Sequence, residues 1–117
     1  MNREGAARVG VRFYANALGR EPVRDWLRSL DADTRRAIGG ELRTLQFGWP
    51  LGMPLVRKLE PGLWESRVRI GSAAIRILFT VVDADLVLLH ALVKKSQALP
   101  LNDLKIARTR MKELGDG

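Results

Sequence analysis

The sequence predicts an α+β fold in which a small twisted antiparallel sheet packs against two N-terminal helices and is followed by a C-terminal helix. Three runs between positions 63 and 93 alternate in polarity or are apolar throughout, as strands are. Their links, Gly71-Ser72 and Asp83-Ala84-Asp85, suit tight reversals, so neighbouring strands should be antiparallel. Helical patterns on either side can cover the apolar face of such a meander. The expected order is β-α-α-β-β-β-α in a single domain spanning residues 1–117.

The N-terminal part should contain one strand and a first helix. Val9–Tyr14 can form the strand. Pro22 follows Glu21 and suits the first helical position, because the N–H that proline lacks would be unbonded there anyway. Apolar residues then recur at helical spacing and predict a core-facing stripe, in which Trp26 is a packing residue. The stripe is Val23, Trp26, Leu27 and Leu30.

A second helix is expected to run through Phe47, with Asp31 and Asp33 as candidate N-caps. Gly39-Gly40 lies inside it and costs about 1 kcal/mol per glycine relative to alanine. We therefore expect this helix to bend or split at the glycine pair.

The connections and the last helix follow from proline and capping residues. Trp49–Pro54 is predicted to be a loop, and Val56–Glu60 a segment leading into the strands. A third helix should begin after Pro100, with Asn102 as its cap. Its predicted buried stripe is Leu104, Ala107, Met111 and Leu114.

Cations interrupt the central strands. The second strand, Ala73–Val82, is apolar or small except for Arg76. The third, Leu86–Val93, is apolar on both faces, as in a strand inside a sheet, and is followed by Lys94-Lys95. The polar face of the first strand, Leu63–Ile70, carries Glu65, Arg67 and Arg69.

The composition indicates which cellular compartment and which classes of binding partner to expect. The 117 residues carry 20 Lys and Arg against 13 Asp and Glu, a net charge of +7. This excess favours a polyanion or an acidic protein partner, the alternative being a solvated basic surface. Without cysteine there is no disulfide or thiolate metal site, which fits a reducing interior. No run reaches membrane-spanning length and no secretory segment is visible, so a cytoplasmic protein is expected.

Several motifs in this order resemble a known family. They are Leu63-Trp64-Glu65 with Arg67, Arg76-Ile77-Leu78-Phe79, Leu89-His90-Ala91, and Lys94-Lys95-Ser96-Gln97-Ala98-Leu99-Pro100. The chain resembles the phage-derived Gp49-like/HigB branch of the RelE/ParE toxin superfamily. This resemblance implies ribosome-dependent cleavage of mRNA, without a cofactor, by a toxin that an antitoxin restrains, in this branch usually a helix-turn-helix protein. ParE-type relatives share the fold but inhibit DNA gyrase, so fold alone leaves the chemistry open.

If RNA is the substrate, metal-independent cleavage would use the ribose 2′-hydroxyl as nucleophile. One histidine and no cysteine leave no multi-histidine or cysteine metal site. Arg76 is the first candidate for clamping the scissile phosphate, because a guanidinium is a planar, permanently charged fork. Arg67 is the second, provided that both face the same side of the sheet.

The groups that would move protons have more than one interpretation. Lys94 or Lys95 should reach the same cleft, either as a phosphate contact or, with its pKa lowered by nearby arginines, as a proton shuttle. His90, on the face of Lys94, is a proton-transfer group or a structural histidine. Glu65 is a general base or an ion-pair partner of Arg67 or Arg76. Relatives place a tyrosine or histidine near the last helix, but Ser96–Leu104 has neither, and Tyr14 is the only tyrosine.

Further cations are candidates for binding RNA: Arg57, Lys58, Arg69, Lys105 and Arg108. Trp49 and Trp64 either stack on bases or lie at the edge of the core. Three functions remain open from the sequence: a toxin that cleaves mRNA on the ribosome, a ParE-like gyrase inhibitor without catalysis, and a basic RNA-binding phage accessory domain. The first requires the ribosome and mRNA as partners in addition to the antitoxin.

Overall fold

The computed structural model describes residues 9–50, 56–94 and 98–116. Within them the chain forms three helices and five strands, so the α+β fold class is confirmed. In chain order the elements are β1 Gly10–Phe13, α1 Pro22–Arg28, α2 Ala32–Gly48, β2 Val56–Glu60, β3 Leu63–Ile70, β4 Ala73–Val82, β5 Asp85–Val93 and α3 Leu101–Asp116.

The five strands form one mixed sheet in the order β1-β5-β4-β3-β2. The predicted antiparallel meander is confirmed for β3, β4 and β5. The sheet is not wholly antiparallel, because β1 pairs parallel with β5, Gly10 lying opposite Asp85. A parallel pair needs a long crossover, and the two helices and three strands between β1 and β5 provide one.

Strand β2 is an element beyond the predicted order. The segment Val56–Glu60 was expected only to lead into the sheet, yet it pairs antiparallel with β3. Pro61 and Gly62 link the two strands, and Gly62 has a φ of +81°. Proline followed by a glycine with positive φ is the signature of a type II turn, so this hairpin is encoded locally.

The helix ends follow the predictions for α1 and α2 but not for α3. The side chain of Asp31 accepts a hydrogen bond from the Thr34 backbone N–H and caps α2. Helix α2 continues through Gly39-Gly40, so the expected break is absent, since the core contacts of α2 on both sides of the pair hold it helical. Asn102 is not the cap of α3: the helix begins at Leu101, and the carbonyl oxygen of Pro100 accepts from the Leu104 N–H.

Each face of the sheet has its own core. Helices α1 and α2 pack on one face, which we call the α1/α2 face, through Val23, Ile38 and Leu45 against Ile77 and Phe79. Helix α3 packs on the other face, the α3 face. The core there includes Tyr14, Leu63, Leu78, Val87, Leu89 and Ala107. The predicted stripes of α1 and α3 therefore face the interior.

A bulge in β5 sets which of its side chains face α3. Leu78 lies opposite His90, but Phe79 lies opposite Leu88, so Leu89 is an extra residue in β5. Beyond the bulge, His90 and Leu92 follow the α3 face, paired with Leu78 and Arg76. This shift brings the end of β5 into line with the charged residues of β3 and β4.

Candidate functional site

Two arginines lie directly opposite each other in the middle of the sheet. The two-residue turn after Ile70 fixes the register of β3 and β4 and pairs Arg67 with Arg76. Both occupy the α3 face, because Leu78, two residues from Arg76, is in the core under α3. Opposed like charges destabilise a strand pair, so this arrangement requires a compensating anion.

Glu65 supplies that anion. Its side chain is 0% exposed, and its carboxylate oxygens lie 3.4 Å from Arg57, 3.6 Å from Arg67 and 3.5 Å from Arg76. These separations are longer than charge-assisted hydrogen bonds, which are about 2.7–2.9 Å. Among the described residues, neither Glu65 oxygen nor the Nε of Arg67 or Arg76 has a hydrogen-bond partner. The carboxylate thus offsets the charge of the arginines without forming hydrogen bonds to their Nε atoms, while Nη1 of Arg76 donates to the carbonyl oxygen of Ile75.

Lys94 completes what we call the cationic cluster: Arg57, Arg67, Arg76 and Lys94 around Glu65. Its backbone N–H donates to the Ala74 carbonyl at 2.7 Å, and the residue is buried. Burial lowers the pKa of Lys94, and the positive charge of Arg76 lowers it further, while Glu65 acts in the opposite direction. Burial also lowers the pKa of Arg76 below that of a free guanidinium. The neutral form of Lys94 is therefore more accessible than that of a surface lysine.

A cavity of about 310 Å³ opens beside the cluster. Ala74 lies between Arg69 on β3 and Lys94 at the end of β5, so the smallest side chain of this row is flanked by two cations. The cavity is large enough for several water-sized groups and hence for a phosphate. Its lining is Glu41, Arg67, Val68, Arg69, Ala74 and Arg76.

His90 borders the cluster on the side of α3. Its Nε2 lies 2.6 Å from the carboxylate of Asp103, in the first turn of α3, and both side chains are largely buried. The contact orients the imidazole and anchors the start of the helix. His90 is one row away from the Arg67–Arg76 pair, in line with Glu65 and Leu78.

The other predicted RNA-binding residues are dispersed. Lys58 pairs with Trp64, which belongs to the α1/α2 face, so Lys58 lies on the face opposite the cluster. Lys105 and Arg108 are exposed on α3, and Arg108 forms a 2.6 Å ion pair with Glu60. Lys95 lies outside the described residues.

Three residues of the site were missed from the sequence: Asp103, Ala74 and Glu41. Ala74 was detectable, because the turn at Gly71-Ser72 places it opposite Arg69. Asp103 and Glu41 carry no local signal, since both reach the site through helix packing.

Tyr14 contacts the C-terminal part of helix α3. Its hydroxyl donates to the carboxylate of Glu113, and this bond and burial raise the pKa of Tyr14. The guanidinium of Arg110 lies 5.3 Å from the centre of its ring. Glu113 is ten residues beyond Asp103, about 15 Å along the helix, so Tyr14 is remote from the cationic cluster.

The tryptophans belong to the core. Trp49 contacts Trp64 edge-on at 5.0 Å and Phe79 at 5.5 Å, and Trp64 stacks on Phe79 at 6.1 Å. All three rings lie on the α1/α2 face, away from the cationic cluster. The interpretation of Trp49 and Trp64 as core residues is confirmed.

The described part of the chain contains neither a membrane-spanning helix nor a cluster of potential metal ligands. No helix there has the length and apolar character to cross a membrane. Nor do three or more histidine, aspartate or glutamate side chains gather there in a way that would hold a metal ion.

The family is given by comparison with known proteins. The model of the phage-derived Gp49-like protein family (DUF891) matches residues 25–112, well over half of the chain and all of the cationic cluster. No curated protein matches the sequence. The Gp49-like proteins are toxins of the RelE/HigB type, and their partner is an antitoxin. The chain therefore belongs to the phage-derived Gp49-like family of RelE/HigB-type toxins of toxin–antitoxin systems.

Proposed function

We propose that this toxin is an endoribonuclease that cleaves mRNA on the ribosome without a metal ion, using the ribose 2′-hydroxyl as nucleophile. The observation that supports this best is the direct opposition of Arg67 and Arg76 on one face of the sheet, beside a buried lysine. Two guanidinium groups side by side can contact one phosphate together, which a dispersed basic surface cannot do.

The arginines would bind the scissile phosphate. Attack of the 2′-oxygen on phosphorus places additional negative charge on the non-bridging oxygens, and fixed guanidinium groups stabilise that charge most in the transition state. Arg76, with a side chain only 14% exposed, is the stronger clamp because it is less hydrated than Arg67 at 42%. Arg69, exposed beside Ala74, would contact the next phosphate.

Lys94 is our candidate for proton transfer. In its neutral form it would take the proton of the 2′-hydroxyl as the oxygen–phosphorus bond forms, and the 5′-oxygen would leave as phosphorus closes a 2′,3′-cyclic phosphate. That leaving oxygen must gain a proton, and His90, oriented by Asp103, is the candidate donor. The lowered pKa of Lys94 makes the first transfer accessible nearer to neutral pH.

The proposal requires the ribosome and mRNA as partners in the cytoplasm, together with the antitoxin, which we expect to be a helix-turn-helix protein. The ribosome would present a single-stranded codon, whose phosphates the cations and the cavity of the site could contact. Arg57 and Lys105 remain candidates for further backbone contacts.

Induced expression followed by 5′-end mapping of transcripts tests the function. Cleavage confined to translated regions is the expected result, and a start-codon mutation should protect the reporter transcript. Intact transcripts accompanied by DNA-damage signalling would instead indicate a gyrase inhibitor. Normal growth with intact transcripts would indicate a basic accessory domain, and either outcome would contradict the nuclease proposal.

A further inference from the structure

We infer that Glu65 is a positioning residue of this site. Its carboxylate is an internal counter-anion that holds Arg67 and Arg76 together until the phosphate takes over the neutralisation of their charge. The inference rests on the proposed function for its substrate, but the geometry that supports it does not. A fully buried carboxylate lies among three guanidinium groups at distances too long for hydrogen bonds.

The burial of Glu65 argues against its being the general base. A base must come within about 3 Å of the proton that it removes. Glu65 is 0% exposed and is covered by the side chains of Arg57, Arg67 and Arg76. The substrate would meet these guanidinium groups before it met the carboxylate, so Glu65 acts through the arginines.

Charge explains why a carboxylate occupies this position. When Lys94 is protonated, the four cations of the cluster carry +4, and Glu65 reduces the sum to +3. An anion with well-formed hydrogen bonds to both arginines would occupy their donors, whereas one at 3.5–3.6 Å reduces their repulsion and, among the described residues, leaves the Nε of each arginine without a hydrogen-bond partner. The two arginines are thus held close together, but their hydrogen-bonding capacity is not filled until a second anion, the phosphate, binds.

The groups facing Glu65 come from every element around it: Arg57 from β2, Arg67 from β3, Arg76 from β4, and Lys94 after β5. Removing the charge of the Glu65 carboxylate should therefore change the pKa of Lys94 in addition to the arrangement of the arginines. Because Glu65 opposes the lowering of the Lys94 pKa, Glu65→Gln should lower that pKa further.

Binding of inorganic phosphate to the full-length protein tests the inference without RNA. Thermal unfolding is followed with increasing phosphate at constant ionic strength, against chloride. In Glu65→Gln the uncompensated arginines should bind phosphate about tenfold more tightly than in the wild type, raising the Tm at high phosphate by about 5 °C more. Asp33→Asn, which removes an exposed carboxylate paired with Arg36, should respond as the wild type does.

A second variant covers the case in which Glu65→Gln does not fold. Glu65→Gln combined with Arg57→Gln restores the cluster to +3 and should recover both folding and the wild-type response to phosphate. If the double variant stays unfolded, or if phosphate stabilises Glu65→Gln no more than the wild type, the inference is wrong.

The pH dependence of cleavage separates positioning from catalysis. A positioning role predicts that Glu65→Gln retains cleavage and that the limb of kcat/KM rising with pH moves to lower pH, following Lys94. A general-base role predicts loss of cleavage at every pH. Failure to detect cleavage in the wild type would refute the nuclease proposal but leave the phosphate experiment interpretable.

Discussion

Arg76→Gln should reduce the rate of mRNA cleavage about a hundredfold. At an effective dielectric constant of 20, a unit charge 4 Å from a phosphate contributes about 4 kcal/mol. Arg76 is largely buried, so little of this is lost to screening, but Arg67 remains directly opposite and retains part of the stabilisation. About 3 kcal/mol is then lost in the transition state, which corresponds to about a hundredfold in rate.

The assay is primer extension on mRNA bound to purified ribosomes, under single-turnover conditions. Arg76→Lys keeps the charge but not the planar fork and should lose about tenfold. Arg43→Gln removes an exposed arginine of α2, outside the cluster, and serves as the matched control with an unchanged rate. Thermal unfolding of each variant checks that the fold is retained.

Two outcomes would refute this reasoning. If Arg76→Gln cleaves within about threefold of the wild type, the buried guanidinium does not contact the reacting phosphate. If Arg43→Gln loses as much activity as Arg76→Gln, net charge rather than the geometry of the cluster determines the rate.

The remaining predictions concern proton transfer, the anchoring of α3 and one helix cap. Burial and Arg76 lower the pKa of Lys94 in the folded protein. Between that lowered pKa and the ordinary lysine pKa of about 10.4, the unfolded chain therefore binds more protons than the folded protein does. The free energy of unfolding should consequently rise with pH in this window. Lys94→Met should remove that slope in pH-dependent denaturation, and an unchanged slope would contradict the assignment. In urea titrations, His90→Gln and Asp103→Asn should each lower the free energy of unfolding by about 1–2 kcal/mol. The double variant should be no less stable than either single variant. Additive losses would mean that the two side chains do not interact. Asp31→Ala should lower the Tm by about 4 °C through loss of the N-cap without affecting cleavage.

The pairing at the site was predictable from the sequence. Alternation groups the residues of β3 and of β4 by face, and the two-residue turn after Ile70 sets the register, so local rules contain the opposition of Arg67 and Arg76, although the sequence analysis left their shared face as a condition. The position of β5 was harder to predict, because Leu86–Val93 is apolar on both faces and shows no bulge in its pattern. The bulge at Leu89 depends on contacts with β4 and α3, which are not local in sequence.

The burial of Glu65 was not predictable. It depends on cations from three strands, and one of these, β2, had been interpreted as a connecting segment although Pro61-Gly62 marks its turn. The parallel placement of β1 also lacked a local signal, since it is decided by the packing of the intervening helices. Local patterns thus specified the adjacent pair, whereas the counter-anion required the tertiary arrangement.

The apolar residues next to the arginines determine which face of the sheet the arginines occupy, before Glu65 offsets their charge. Val68 and Ile75 pair on the α1/α2 face next to Arg67 and Arg76, and both are buried in the core. A slip of one residue in this hairpin would turn the side chains of one strand over, carrying its arginine into the core and its apolar residue to the other face, at a cost of several kcal/mol. The hydrophobic face of the strands therefore fixes a charge arrangement that the charges alone would not adopt, and under the proposed function both arginines would be in place before a phosphate binds.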